Sequence, residues 1–206
     1  MNNNNEFGKH PSEEIQKIFS QRPFQIQEPE KAKVIFLGLD ANIDKDIEQN
    51  KPFFNEFIEY LRYGVKYWEN KGFHTPMLVP YLNYKGNGVR YHKQFCKLEF
   101  SPKHAEDICF LELLNFCTYG KTSKNKKLFM EMLNDNVNKD HLDRIKNLYK
   151  MENRICISKG VKRIIDKLKL FDTNNKKIEV HTHFSGRIKD EDLRKLGLRL
   201  RKYLDN

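Results

Sequence analysis

Two patterns of apolar and polar positions alternate along the chain. Residues 33–38, 107–114 and 154–158 are short, mainly apolar runs, and residues 177–181 alternate between apolar and polar. Short apolar runs of this kind indicate strands buried within a sheet, and regular alternation indicates a half-buried strand. The sequence therefore predicts four strands.

Apolar residues recur with helical spacing between and after these strands. The segments that keep one apolar face in this way are residues 53–68, 128–133, 142–148, 161–168 and 193–204. Strands that alternate with helices favour a parallel sheet covered on both faces. We therefore expect an α/β fold, a three-layer αβα sandwich with a mostly parallel four-stranded central sheet.

The expected domain organisation is simple. Residues 31–206 are predicted to form a single α/β domain, and residues 1–30 a tail with one short helix at about 13–19. Residues 77–81 include Pro80 and are predicted to be an edge strand or an extended loop, and residues 85–88 to be a turn.

The composition narrows the class of partner. The chain has 38 Lys and Arg against 28 Asp and Glu, a net charge of +10. Such a surplus favours a polyanion such as DNA, because phosphate contacts release counterions, although a basic solvated surface explains it equally well. None of the four cysteines is spaced for a metal or iron–sulfur site, and the sequence carries no apolar signal core or membrane span. We expect a cytoplasmic monomer, associated with the nucleoid through its substrate, without membrane contact, metal or cofactor.

Polar side chains follow the predicted strands at positions suited to chemistry. Ligands of parallel sheets bind beyond the carboxyl ends of the strands, which here are residues 39–42, 112–118 and 181–187. Asp40 could orient a water or stabilise a developing cation, or, like Asn42, only cap a turn. The imidazoles of the last segment suit a phosphate or a leaving group, or only local hydrogen bonds.

A metal site is a further alternative for the last segment. His181 and His183 form a His-x-His pattern like that which opens metal-dependent hydrolase barrels, and with Asp40 they could bind a metal. Only 23 residues follow His183, too few for such a barrel, so a metal-dependent hydrolase is disfavoured.

Two of these segments together resemble the motifs of the uracil-DNA glycosylase superfamily. Residues 34–42 resemble the motif that ends the family's first strand, and residues 183–187 the one that ends its last strand. Residues 111–118 and 154–160 resemble the second and third strands, so the similarity covers about residues 31–187. The resemblance implies a DNA glycosylase without a metal or cluster.

The resemblance also implies roles for particular residues. Asp40 would position the attacking water with help from Asn42, and His183, or His181 in the alternative register, would steady the leaving base with Ser185. Phe53 or Phe54 would stack on the flipped base, like the family's stacking aromatic residue. Arg187, Lys189 and Arg194 could bind the phosphates around it, or the helix residues could form only a solvated basic face.

The sequence departs from the family pattern at three positions. Ala41 and Phe184 replace the usual prolines, and Glu112 replaces the asparagine that reads the base. An ionised glutamate only accepts hydrogen bonds, which suits the exocyclic amine of cytosine, so a modified cytosine is the hypothesised substrate.

The function predicted from the sequence is a monofunctional DNA glycosylase that flips out uracil or a modified pyrimidine and leaves an abasic site. No lysine is placed as a nucleophile, so strand cleavage is not expected. Repair of cellular DNA and defence against modified phage DNA fit equally well. The main alternative is a non-catalytic nucleic-acid or nucleotide-binding module on the same fold, which the loss of both motif prolines favours.

Overall fold

The computed structural model describes residues 6–205, which form an α/β fold of eight strands and seven α-helices. The strands are β1 (Phe7–Lys9), β2 (Phe24–Ile26), β3 (Val34–Gly38), β4 (Ala41–Asn42), β5 (Ile108–Glu112), β6 (Cys117–Gly120), β7 (Arg154–Ser158) and β8 (Ile178–His181). The helices are α1 (Glu13–Gln21), α2 (Lys51–Lys71), α3 (Val89–Phe95), α4 (Lys126–Leu133), α5 (Asn136–Lys150), α6 (Lys159–Leu168) and α7 (Asp190–Leu204).

The central sheet has five strands in the order β2-β5-β3-β7-β8. β3 pairs in parallel with both β5 and β7, β7 pairs in parallel with β8, and β2 adds an antiparallel edge next to β5. The predicted α/β class is confirmed. The predicted count of four strands is wrong, because residues 24–26 extend the sheet by a strand too short to give a periodic signal.

Both faces of the central sheet are buried, which explains the uninterrupted apolar runs in its strands. Along β3, Val34 and Phe36 pack against α1, α2, α3 and α7, whereas Ile35 and Leu37 pack against α4, α5 and α6. Alternate side chains of a strand point to opposite faces, so each run supplies both layers of the core. The helices therefore lie on both sides of the sheet.

Helix α2 is the longest helix, and its ends follow from its sequence. The Asn50 side chain accepts a hydrogen bond from the Phe53 backbone N–H at the first turn, and Gly72 ends the helix in the left-handed conformation at φ 74°. Tyr63 departs from helical geometry, and the next residue, Gly64, lies against Ile26. A Cβ at position 64 would lie 2.5 Å from the Ile26 Cα, so glycine permits the contact between α2 and β2.

A second, smaller sheet joins the N-terminal residues to the region after β3. β6 lies at its centre, antiparallel to β1 and parallel to β4. Residues 1–30 were predicted as a tail with one short helix. Residues 1–5 lie outside the described residues, and residues 6–30 contribute α1 and a strand to each sheet. Residues 76–78 and 80–82 form two short 3-10 helices in place of the predicted edge strand or loop. Within residues 6–205, no helix is both long and apolar enough to span a bilayer.

Candidate active site

A cleft of about 610 Å³ lies at the carboxyl ends of the central strands. Gly38, Glu112 and Ser158, the last residues of β3, β5 and β7, all border it. The loops after β6 and β8 and the loop before α3 complete its walls. Its size falls within the range of roughly 300–1,000 Å³ typical of small-molecule sites, and its position follows the rule for parallel sheets.

Asp40 lies in this cleft two residues after the end of β3 and is held by three donors. The hydroxyls of Thr118 and Thr122 donate to its carboxylate, the latter at 3.0 and 2.9 Å, and the Asn42 amide lies 3.4 Å away. Burial raises the pKa of Asp40, whereas these hydrogen bonds and the nearby imidazole of His183 act in the opposite direction. The donors fix the carboxyl group and oppose part of the effect of burial, but the pKa of Asp40 as a whole is raised.

Asn42 also borders the cleft, but its amide is already engaged by the protein. Its Nδ2 donates to the Gly120 carbonyl at 2.7 Å, and its Oδ1 accepts from the Asn87 amide at 2.9 Å. Asn42 therefore positions Asp40 and the loop containing Asn87. The contact of Asn42 with the attacking water stays a prediction.

His183 reaches the same cleft from the loop after β8. Its Nδ1 accepts a hydrogen bond from the Ser185 backbone N–H at 3.2 Å, which leaves the proton of the neutral ring on Nε2. His183 is exposed in the cleft, and partial desolvation of its ring lowers its pKa, although the negative charge of Asp40 raises it. A neutral imidazole with an Nε2–H donor and a carboxylate thus share one cleft, as the sequence predicts.

His181 does not border the cleft. Its ring stacks on Phe184 with centroids 4.4 Å apart, and its Nδ1 pairs with the Thr182 carbonyl at 2.7 Å. Burial lowers the pKa of His181 to about 4. His181 lies instead in a separate surface depression that Lys159 and residues of α7 such as Lys195 also line.

The metal-dependent alternative required His181, His183 and Asp40 to converge. His181 lies outside the cleft that holds the other two. Over residues 6–205 no three His, Cys, Asp or Glu side chains form a group that could hold a metal ion. The donor set of that alternative is therefore not assembled.

Glu112 lies on the cleft floor directly over Gly38, its partner across the parallel pairing of β3 and β5. A Cβ at position 38 would lie 2.0 Å from Glu112 Oε2, so only glycine leaves room for the carboxyl. No donor among residues 6–205 hydrogen-bonds to this carboxyl. Burial, and then the charge of Asp40, raise the pKa of Glu112 well above its usual value.

The aromatic residues of the cleft differ from those predicted. Phe53 and Phe54 belong to the core, and Phe53 stacks on Tyr84 with centroids 3.9 Å apart. Neither ring is among the residues that line the cleft. Phe57 and Tyr91 border it instead. Phe57 nevertheless belongs to the core, as its place on the apolar face of residues 53–68 predicts, since it is only 1% exposed. Tyr91 lies on the short helix α3, which gave no periodic signal.

A buried histidine pair borders the cleft beside Tyr91. His92 Nδ1 lies 2.9 Å from His74 Nε2, and both rings belong to the buried interior. Burial lowers the pKa of His92 to about 3, so the pair is neutral at physiological pH. The lone histidines of this region carry no spacing signal in the sequence.

Asp44 organises the loop that forms another wall of the cleft. Its carboxylate accepts from the Tyr84 hydroxyl at 2.5 Å and from the Asn87 backbone N–H at 3.2 Å. A Cβ at position 86 would lie 1.5 Å from Asp44 Oδ2, so glycine is required where the loop passes the carboxylate. The sequence predicted a turn at residues 85–88 but did not indicate that Asp44 would hold it in place.

Several exposed cations lie close in sequence to residues that line the cleft, although none of them lines it. Ser185 borders the cleft in the segment that ends in the exposed side chain of Arg187. Arg90 and Lys121 are exposed and are direct chain neighbours of lining residues. Lys189 and Arg194 are exposed at the start of α7 and within it, and do not line the cleft. The lining itself carries the carboxyl groups of Asp40 and Glu112.

The chain matches no family model, no curated protein and no solved structure. Of the predicted site residues, the cleft brings together Asp40, Asn42, Glu112, His183 and Ser185. They come from the ends of β3 and β5 and the loop after β8, so segments far apart in the sequence meet at one edge of the sheet.

Proposed function

We propose that this protein is a monofunctional DNA glycosylase that hydrolyses the N-glycosidic bond of a pyrimidine flipped out of the duplex. The observation that carries the proposal is the pairing of a fixed carboxylate, Asp40, with a neutral imidazole donor, His183, in one cleft. In this proposal the chain acts as a cytoplasmic monomer on DNA, in repair or in defence against modified foreign DNA.

The two side chains suit the two charges that develop when a glycosidic bond breaks. Positive charge builds on the sugar, and the Asp40 carboxylate stabilises it while accepting the proton of the attacking water. Negative charge builds on the base, and His183 donates a hydrogen bond to it from Nε2. Thr118 and Thr122 hold the carboxylate in one orientation, so little reorganisation accompanies the reaction.

The surroundings of the cleft support a nucleic-acid substrate. Flipping a base costs a few kcal/mol of lost stacking, which contacts with the extrahelical nucleotide must offset. Tyr91, which borders the cleft and is only partly buried, is the proposed apolar contact for the base, and the exposed cations Arg187 and Lys121 are the proposed contacts for the flanking phosphates. No lysine is among the residues lining this cleft, so a covalent lysine intermediate with strand cleavage is not part of the proposal.

Asp40→Asn provides the test. We expect the wild-type protein to form abasic sites in duplexes that each contain one defined pyrimidine, and the variant to be slower by about 10²–10⁴-fold, the usual loss on removal of a general base. DNA affinity should change little. Asp140→Asn, the same charge change at an exposed position on α5, is the matched control.

Two results would contradict the proposal. Turnover by Asp40→Asn at the wild-type rate would remove the assigned role of the carboxylate. Tight DNA binding by the wild-type protein without base release from any duplex would favour the non-catalytic binding module instead.

A further inference from the structure

Two carboxyl groups lie on the floor of the cleft in contrasting environments. Asp40 receives hydrogen bonds from two threonine hydroxyls and lies within reach of the Asn42 amide. Glu112 lies over Gly38 and accepts no hydrogen bond from residues 6–205. The charges that affect Glu112 come from Asp40 and not from any cation.

Because the two groups repel each other when both are ionised, their environments decide which one keeps a proton. Hydrogen bonds stabilise the ionised form of Asp40, whereas burial without donors disfavours an ionised Glu112. The pKa of Glu112 is accordingly raised by burial and by the Asp40 charge. Carboxyl pairs whose environments separate them in this way serve as a base and an acid in one reaction.

We infer that Glu112 is a general acid that protonates the ring nitrogen N3 of a 4-aminopyrimidine, so that the excised base is of the cytosine type. The inference rests on the proposed glycosylase function and names the substrate class of the same site. It assigns to Glu112 a catalytic role, since its carboxyl touches the base.

A neutral carboxyl group matches the edge of cytosine in both directions. Its O–H donates to N3, and its carbonyl oxygen accepts from the exocyclic amine. The sequence-based hypothesis considered only an ionised glutamate, which accepts from the amine and faces N3 with a second acceptor. The neutral form removes that conflict and adds a proton that can be transferred.

Proton transfer addresses the chemical difficulty of this substrate. Cytosine leaves poorly as an anion, whereas cytosine protonated at N3 departs as a neutral molecule. The Glu112 proton moves to N3, the C1′–N1 bond breaks with its electron pair going to N1, and water adds to C1′ while Asp40 takes its proton. Glu112 ends as a carboxylate and Asp40 as the acid, and solvent returns the proton from one to the other.

Uracil serves as the contrast. A neutral carboxyl can also pair with the O4 and N3–H of uracil, but N3 of uracil already carries a hydrogen and accepts no proton. Glu112 can therefore form hydrogen bonds with uracil but cannot act on its N3 as a general acid. Loss of the proton should slow release of cytosine-type bases much more than release of uracil.

Glu112→Gln separates pairing from proton transfer, because the amide can donate to N3 and accept from the amine but has no acidic proton. The probes are duplexes that each contain one uracil, cytosine, 5-methylcytosine or 5-hydroxymethylcytosine, assayed for abasic sites under single-turnover conditions. The three cytosines differ only at ring position 5, so a requirement for a substituent there is covered. We expect at least one cytosine to be released by the wild type and to be slowed by about 10²–10⁴-fold in the variant.

The other outcomes are distinct. Release of uracil alone, at equal rates in both proteins, overturns the role of Glu112 and leaves the glycosylase proposal standing. Release of a cytosine by Glu112→Gln at the wild-type rate also overturns the role of Glu112. Absence of release from all four duplexes overturns the proposed function and the inference together.

A second measurement needs no substrate. Protonated carboxyl groups absorb infrared light at a higher frequency than carboxylates, so the wild-type spectrum at pH 7 minus that of Glu112→Gln should contain a protonated carboxyl band. A carboxylate band in its place overturns the inference whatever the activity. Gly38→Ala, whose Cβ would displace the Glu112 carboxyl, should weaken or shift the same band while keeping the glutamate.

Discussion

Replacement of Glu112 by glutamine should stabilise the protein, and the gain should grow as the pH rises. Burial and the Asp40 charge raise the pKa of Glu112 in the folded state above its usual value of 4.5. The folded protein therefore holds a proton that the unfolded chain releases. This favours the folded state below the usual pKa and is lost as the pH rises toward the folded pKa. Glutamine carries no such dependence.

The size of this pH dependence follows from the single proton that Glu112 holds in the folded state and releases on unfolding. Between the unfolded and folded pKa values of Glu112, the free energy of unfolding of the wild type should fall by about 1.4 kcal/mol per pH unit relative to the variant. For a chain of this length that corresponds to roughly 3 to 6 °C in Tm per pH unit. All other titrating groups are common to both proteins, so the difference between the two curves reports this carboxyl together with its coupling to Asp40.

The measurement is chemical or thermal unfolding of both proteins at several pH values from 4.5 upward. Glu152→Gln, the same change at an exposed position just after α5, is the matched control. The reasoning fails if the gain of Glu112→Gln is constant over this range or shrinks as the pH rises.

Three further predictions concern the neighbours of the cleft. Thr122→Val removes a hydrogen bond that lowers the pKa of Asp40, so the acid side of the pH–rate profile should move to higher pH with unchanged DNA affinity; an unshifted profile would contradict the role of the hydroxyl. Phe53→Ala should cost about 3–5 kcal/mol of stability, measured by denaturant unfolding, because the ring is fully buried; a loss below 1 kcal/mol would contradict its place in the core. Arg187→Ala should weaken DNA binding and reduce the slope of log affinity against log salt by about 1, whereas Lys176→Ala, exposed just before β8, should change neither.

The central strands were predictable because burial on both faces leaves a direct mark on the sequence. β3 and β7 were located to within one residue, and the edge where Asp40, Glu112 and His183 meet followed from the rule for parallel sheets. Helix positions followed from their apolar faces in the same way. The short strands β1 and β2 carry too few residues for any periodic signal.

The polar contacts of the site were not predictable from local sequence. Thr118 and Thr122 hold Asp40 from 78 and 82 residues away, and nothing in their own segments marks them as its partners. The aromatic residues of the cleft were not predictable either: Phe53 was expected in the cleft but lies in the core, whereas Tyr91 borders the cleft without having been predicted. Helical spacing says which rings share a face, but only the packing of α2 on the sheet decides whether that face meets the core or the cleft.

The pairing of β1 with β6 makes the start of the chain part of the support for Asp40. Lys9 lies opposite Thr118 in that ladder, and the His10 backbone N–H continues it by donating to the Cys117 carbonyl. A shortened protein that begins at residue 31, where the apolar pattern begins, would strip one side of β6 and expose its backbone to solvent. Proteolysis or trimming in the first ten residues would thus weaken the support of the Asp40 carboxylate, thirty positions further along the chain.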